Sequence, residues 1–370
     1  MKRIKQIITL LLALSLVLGT LAACGSKETE KEEEQPTQEK AETKGEKTVI
    51  RLGYNPVSGN LLTFIAQDKG FFEEENVDVE LVAFNSTADG IAAMNAGKVD
   101  VSFSFGSNSP LQYISEGSDL KFIGGYLSNG HPIFTLPENE GNYDSSSKES
   151  LVNSFKGKKV GTLRLYTSEI IFKSALADVG VDPEKDLEIV EFKKPADIVS
   201  AVRSGNIDVA VASGSSYTMA KEAGLSVVGR TNDLWPDHIC CRGIATEDFY
   251  ENNQDAIVGL FRALLKAQEV YEADFDYANK LNADKLGIDE QTSKEILVES
   301  GQTINLDPNK KGVIELYDVM VKQDLIENEF DVSSYIDPSL YQKALQSLAD
   351  ENPDDEFFKK QLDLYGRQNA

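Results

Sequence analysis

Residues 84–107 read FNSTADGIAAMNAGKVDVSFSFGS, and residues 192–215 read FKKPADIVSAVRSGNIDVAVASGS. At a constant offset of 108 positions and without a gap, Phe84 matches Phe192, Ala88-Asp89 matches Ala196-Asp197, and Gly97 matches Gly205. Asp100-Val101 matches Asp208-Val209, and Gly106-Ser107 matches Gly214-Ser215. The same offset pairs Gly53 with Gly161, Phe64 with Phe172 and Glu80 with Glu188, so the likeness extends over two βαβαβ units. Each copy reads as a helix followed by a buried strand. Ala88, Ile91, Ala92 and Ala96 recur at helical spacing, as Ala196, Val199, Ala201 and Val202 do more loosely. Gly97 and Gly205 stand where a helix takes a left-handed C-terminal residue. Val101 to Phe105 and Val209 to Ala212 then read as short buried strands. Small molecules bind beyond the carboxyl ends of strands in open α/β sheets. Two such units facing each other make a two-lobed clamp; two tandem α/β domains of an enzyme fit the same pattern.

The chain on either side of the repeats sorts into segments. Lys2, Arg3 and Lys5 precede an apolar run, Ile7 to Leu18, that is short for a membrane span. Leu21-Ala22-Ala23-Cys24 follows, and this end resembles the bacterial lipoprotein signal, in which the cysteine is lipidated and becomes the mature N-terminus. Residues 1–23 are therefore expected to be a signal peptide. Residues 24–47, rich in Glu and Lys, are expected to be a disordered tether, since they hold too little apolar surface to offset the entropy of ordering. From Thr48 onward there is enough chain for two domains with cores of their own. The formal net charge of −24 argues against a nucleic-acid partner, because phosphate attraction needs a basic surface. After Cys24 only Cys240 and Cys241 remain, and neighbours do not form an ordinary unstrained disulfide. No GxxxxGK[ST], GxSxG or HExxH pattern occurs.

Taken in order, Val49 to Gly53 reads as a first strand, Leu61 to Lys69 as a helix and Val77 to Phe84 as a second strand. Asn85-Ser86-Thr87 offers side-chain oxygens to a helix N-terminus. Leu120 to Gly125 reads as a fourth strand, His131 to Thr135 as a crossing strand, and 138–150 as a polar, turn-rich link. The second unit begins at Val160-Gly161-Thr162, with a helix opening at Thr167-Ser168. Residues 231–245 cross back. Asp255 to Tyr271 is an amphipathic helix, and further helices around 290–299, 309–324 and 338–349 form a tail expected to pack on the first lobe.

Gly53-Tyr54-Asn55-Pro56, Gln67-Asp68-Lys69-Gly70-Phe71-Phe72, Gly97-Lys98-Val99-Asp100-Val101, Phe155 to Gly161 and Gly205-Asn206-Ile207-Asp208-Val209 together resemble the substrate-binding proteins of ABC importers in the nitrate, sulfonate and taurine group, which includes receptors for thiamine-pyrimidine precursors. The resemblance covers residues 48–350. It implies the type II periplasmic-binding-protein fold: α/β, two lobes with two crossovers and a helical C-terminal tail. Lobe 1 would take 48–133 and 240–370, and lobe 2 would take 134–239. It further implies a monomeric, lipid-anchored receptor outside the cytoplasmic membrane, serving an ABC permease and ATPase, with no cofactor, no metal and no catalysis. The alternative is an extracytoplasmic enzyme of the same fold, allied to thiamine-pyrimidine synthesis; a sensor subunit is a third reading.

Carried over position by position, the ligand site would draw Tyr54, Asn55 and Asn60 from the first loop and Asn85, Ser86 and Thr87 from the next helix start. Gly106, Ser107 and Asn108 follow the third strand, and His131 stands at the first crossover. Thr167 and Ser168 open a helix of the second lobe; Ser213, Ser215, Ser216 and Tyr217 follow its third strand. His238 and Arg242 lie on the return crossover beside Cys240-Cys241, which reads as a buried, inert pair. Arg164 and Lys193-Lys194 are further cations within reach. Helix N-termini there suit an anionic group, while Tyr54, Phe105, Tyr217 and Trp235 allow stacking on a ring. A small polar solute, sulfonate-like or heterocyclic, is the expected ligand.

Overall fold

The computed structural model describes residues 47–56 and 60–370. The signal segment, Cys24 and the body of the tether lie outside the described residues. Among the described residues eleven strands form two mixed sheets flanked by helices. They are β1 (Thr48–Tyr54), β2 (Val77–Ala83), β3 (Val101–Ser102), β4 (Leu120–Asn129), β5 (Pro132–Thr135), β6 (Lys159–Leu163), β7 (Glu188–Phe192), β8 (Val209–Val211), β9 (Ser226–Arg230), β10 (Ile239–Thr246) and β11 (Gln302–Ile304). The first sheet runs β2-β1-β3-β10-β4-β11 and the second β7-β6-β8-β5-β9. Over the first five strands the orders match, and β11 has no counterpart in the second sheet. In each sheet the first three strands are parallel, and the fourth is antiparallel and comes from the far side of a crossover.

The sequence repeat is a repeat of contacts. Asp100 heads β3, and its Oδ2 accepts the Arg51 N–H at 2.8 Å; Asp208 heads β8, and its Oδ2 accepts the Lys159 N–H at 2.7 Å. In return Arg51 O and Lys159 O accept the Asp100 and Asp208 N–H groups, each at 2.9 Å. The carboxylate therefore fixes the register of the first strand against the third in both lobes. Gly53 and Gly161 are needed two positions on. A Cβ at Gly53 would lie 2.8 Å from Val99 Cγ1, and one at Gly161 would lie 2.4 Å from Ile207 Cδ1. Gly97 and Gly205 end their helices at φ of 65° and 70°, the left-handed conformation expected of them.

Departures from expectation have local causes. The third strand stops at Ser102 instead of running to Phe105. The chain then bends away, with Ser102 Oγ accepting the Ser104 N–H and Ser104 Oγ accepting the Asn55 N–H in place of ladder bonds. Phe105 is not free to stack on a ligand: it is 1% exposed and fills the space left by the missing side chain of Gly90, where a Cβ would come within 2.1 Å of its ring. The link over 138–150 holds a 3₁₀ turn at Pro137–Asn142 and leads into a helix, Lys148–Ser154, whose N-cap Ser147 accepts the Ser150 N–H. A last helix, Glu356–Asn369, follows those expected in the tail.

Part of that tail packs on the first sheet, as expected, while residues 295–300 and Gln323 bond to the second lobe, through Lys221 with Glu295 and Glu299, Arg230 with Ser300 O, and Gln323 Nε2 with Ile170 O. Leu260, Phe261 and Leu264 of Gln254–Ala273, with Tyr341 and Leu345 of Ser339–Glu351, share one core with Ile50 and Leu52 of β1. No helix among the described residues is long and apolar enough to cross a membrane.

The carboxylate at the third-strand head yields a paired test. Asp100→Ala removes a buried acceptor that also holds the Arg51 guanidinium, whereas Asp208 is half-buried. Urea unfolding should show Asp100→Ala costing about 1.5–3 kcal/mol and Asp208→Ala less.

Candidate functional site

Strand ends and helix starts of both sheets meet where the lobes face each other. From lobe 1, the Asn55 N–H is held by Ser104 Oγ at 2.9 Å, and Asn55 Nδ2 donates to Thr87 Oγ1 and Ser104 O, each at 3.3 Å. Asn55 Oδ1 is buried without a protein partner. Asn108 opens the helix Asn108–Ser115, preceded by Ser107 and by Gly106 at φ 75°. Ser107 does not cap that helix with its side chain; its Oγ donates to Cys240 O at 2.9 Å, tying the helix start to the return crossover.

Asn108 joins the lobes. Its Nδ2 donates to Leu165 O at 2.7 Å, and its Oδ1 accepts from Thr167 Oγ1 at 3.2 Å. The receiving loop is set by Glu169 in the first turn of the helix Thr167–Val179. One carboxylate oxygen accepts the Leu165 N–H at 2.6 Å and the other accepts Thr162 Oγ1 at 3.0 Å. This holds Leu165 at φ 63°, a conformation that bulky residues rarely adopt. Lys173 pairs with Glu169 at 2.9 Å. Next to Thr167, Ser168 is fully buried and its Oγ has no protein partner.

The floor is made by the two crossovers, which are bonded to each other: the Asn129 N–H donates to His238 O at 3.1 Å and the Thr231 N–H to His131 O at 2.9 Å. His131 and His238 stack, with ring centroids 5.4 Å apart and planes at 17°. His131 Nδ1 accepts the Gly214 N–H at 3.1 Å, so its proton sits on Nε2, which is buried without a protein partner. His238 lies 2.7 Å from Thr231 Oγ1 through Nε2 and 3.2 Å from Ile239 O through Nδ1. Burial pushes His131 down to about 3, with the neighbouring His238 adding to it, and burial pushes His238 down to about 4. Both rings are neutral at pH 7. Among the described residues no group of three or more His, Cys, Asp or Glu is placed to hold a metal ion.

The remaining sequence candidates fall into three settings. Ser213 Oγ lies 2.9 Å from Ser215 Oγ and 3.2 Å from Ser216 Oγ, a hydroxyl cluster beside Gly214 and hence beside His131. Asn60 is buried ahead of its helix, where its backbone carbonyl takes the Phe64 N–H, and Tyr54 is half-buried at the end of β1. Asn85 and Ser86 face solvent, Ser86 as the N-cap accepting the Asp89 N–H. Tyr217 is buried with Lys221 and Arg230 near its ring, at 5.7 and 5.9 Å. Arg242 is 2% exposed and bonded to Leu127 O, Cys241 O and Ser128 Oγ, a support for the crossover. Arg164 is exposed and pairs with Glu191 at 3.8 Å, and Lys193-Lys194 is exposed. Trp235 lines a groove of about 490 Å³ between the helices Thr167–Val179 and Lys310–Lys322.

Sequence reasoning missed Ser104, Leu165 and Glu169. Glu169 carried a signal, an acid in the first helical turn after Thr167-Ser168. Nothing in the letters marks a leucine for positive φ.

The profile of the NMT1-like family matches residues 43–286. Among curated proteins, the nitrate import ATP-binding protein NrtC of Synechococcus elongatus is 26% identical over 60% of this chain and 35% of its own length. The nitrate/nitrite binding protein NrtA of Nostoc is 23% identical over 61% of this chain and 54% of its own. The chain thus spans about a third to a half of these relatives. Among solved structures, the periplasmic aliphatic sulphonate binding protein SsuA of Escherichia coli superposes with a TM-score of 0.65 at 20% identity, covering 80% of this chain and 99% of that one. The fold is the type II periplasmic-binding-protein fold, as the sequence motifs imply.

The neutral histidines set a pH dependence. In the unfolded chain each binds a proton below about 6.5; folded, they do so only near 4 and 3. Stability is therefore complete above pH 6.5 and falls as pH drops through that window. His131→Gln should flatten the decline between pH 6.5 and 4 by about 1.4 kcal/mol per pH unit in urea titrations; an unchanged slope would place the proton elsewhere.

Proposed function

We infer what this chain does from its family and its cleft: it belongs to the NMT1-like family, and both lobes hold buried polar groups without protein partners. It is the solute-binding component of an ABC importer. It closes on a small polar solute, sulfonate-like or heterocyclic, and delivers it to a permease driven by an ATPase. The lobes are residues 48–133 with 240–370 and residues 134–239. Cys24 carries the lipid that anchors the chain, as a monomer, on the outer face of the cytoplasmic membrane. Acyl chains on one cysteine, backed by a flexible tether, suffice for stable attachment.

One observation carries the reading. Asn55 Oδ1, Ser168 Oγ and the His131 Nε2–H are buried, lack a protein partner and sit on separate segments of the chain. Each such group left unpaired costs about 1–3 kcal/mol. A solute that supplies the partners both binds and favours the closed arrangement, because it touches both lobes at once. The His131 and Ser168 hydrogens suit oxygen acceptors, the chemistry shared by the sulphonates of SsuA and the nitrate or nitrite of NrtA, and Asn55 Oδ1 suits an N–H on an organic solute. The family receptors act without chemistry, and no catalytic step is assigned to these residues.

Native mass spectrometry of residues 26–370, followed by a thermal-shift panel of sulfonates, nitrate, amino acids and pyrimidines, tests this. A solute at about 100 times its dissociation constant adds about 2.7 kcal/mol, a rise of a few degrees for a chain this long. Ser168→Ala should leave the Tm of the solute-free protein unchanged or higher, since it removes a buried unpaired hydroxyl, and should weaken binding at least tenfold. A solute that is consumed would replace the receptor with an enzyme of the thiamine-pyrimidine kind; no binding across the panel would withdraw the transport reading.

A further inference from the structure

The mechanism above makes no use of Cys240 and Cys241. Successive side chains of a regular strand point to opposite faces. Here the two sulfurs are 3.7 Å apart, in hydrogen-bond contact, and both are free thiols. The cause is a bulge. In the antiparallel pairing of β10 with β4, Ile239 faces Ser128 and Cys241 faces Leu127, so Cys240 is the extra residue; the register shifts again between Cys241 and Arg242. Bulges re-aim side chains, and this one turns neighbouring thiols toward each other. Cys240 keeps part of its surface while Cys241 is 5% exposed. The hydrogen bond between the thiols lowers Cys241 from the ordinary thiol range, helped by the Gly106 N–H, and raises Cys240.

We propose that Cys240 and Cys241 form a two-thiol site that external disulfides oxidise to a ring-closed disulfide, and that closing the ring loosens the contact between the lobes. A thiolate of the pair attacks one sulfur of the external disulfide. It forms a mixed disulfide and expels one thiolate. The second cysteine loses its proton and attacks the protein sulfur of that mixed disulfide. The intramolecular sulfur–sulfur bond forms and a second thiolate leaves. Two electrons pass from the cysteine sulfurs to the external disulfide, and two protons go to solvent. The sulfurs must close from 3.7 Å to about 2.05 Å. Adjacent Cα atoms, about 3.8 Å apart, are nearer than an unstrained bridge prefers. The bond is therefore readily reduced again, as labile and regulatory disulfides are.

The mechanical consequence follows from one carbonyl. Cys240 O accepts the Ser107 hydroxyl at 2.9 Å, and Ser107 precedes Asn108, the residue that reaches Leu165 and Thr167 across the cleft. Closing the ring rotates the 240–241 peptide and takes that acceptor away. The chemical half of the proposal stands whether or not the chain carries a solute; the effect on solute retention rests on the receptor reading.

The test treats the folded full-length chain with 5,5′-dithiobis(2-nitrobenzoic acid) and maps the peptide holding both cysteines, which is separate from Cys24. The expected result is a peptide two hydrogens lighter, without an aryl adduct and restored by dithiothreitol, together with a reversible fall in Tm. Two retained aryl adducts, or no reaction under conditions that label the unfolded chain, would overturn the ring. A ring with unchanged Tm would overturn its link to the lobe contact. The variant combining Cys240→Ser with Cys241→Ser should lose the reagent's effect on Tm; if it fails to fold, the peptide masses of the unmodified chain still decide the chemistry.

Discussion

The Asn108 side chain gives its N–H to Leu165 O and its carbonyl to Thr167 Oγ, and much of the cleft is arranged so that it can. An amide donates and accepts in one plane, so a single residue fixes both the distance and the orientation of the opposing loop. The loop must be rigid to receive it, which is the work of Glu169 on the Leu165 N–H. The helix that begins at Asn108 must be rigid as well, and Ser107 anchors it to the return crossover. Six residues from three distant segments, Ser107, Asn108, Leu165, Thr167, Glu169 and Cys240, thus form one network, and networks of this kind are worth more than their separate bonds.

The fold was legible because the repeat has a mechanical basis. Asp100 and Asp208 each close a bond to the first strand of their lobe, and Gly53 and Gly161 each admit the side chain at the matching position, Val99 or Ile207. Such contacts tolerate little change, so the offset of 108 survives without a gap. The helix starts at Thr87 and Thr167 were readable for a related reason, since short polar residues collect where backbone N–H groups lack partners.

What stayed hidden depends on tertiary context. Three-residue β11 has no periodicity of its own and exists because β4 extends past Gly125 to Asn129 and leaves an edge beside it. Phe105 reads as able to stack on a ligand ring because nothing local shows that Gly90 leaves room beneath it. Arg242 reads as a ligand cation in the sequence; its Nη1 and Nη2 donate to Leu127 O, Cys241 O and Ser128 Oγ at the crossover, its buried Nε has no protein partner, and burial pulls its pKa down to about 10. The histidines were named from the sequence, but their stacking and neutrality arise only when two crossovers, with His131 and His238 107 positions apart, meet.

The antiparallel strand that each sheet borrows has a bearing on the order of assembly. Every strand of the second sheet lies between Pro132 and Arg230, so that sheet has all its parts once the chain has been made to β9. The first sheet opens the chain, yet it has a gap between β3 and β4 until Ile239–Thr246 arrives, and its edge waits for Gln302–Ile304. Pairings of such long sequence separation form slowly, because loop closure comes before any contact rewards it. The later-made half of the repeat is therefore the first that can fold to completion, and the earlier half folds around it.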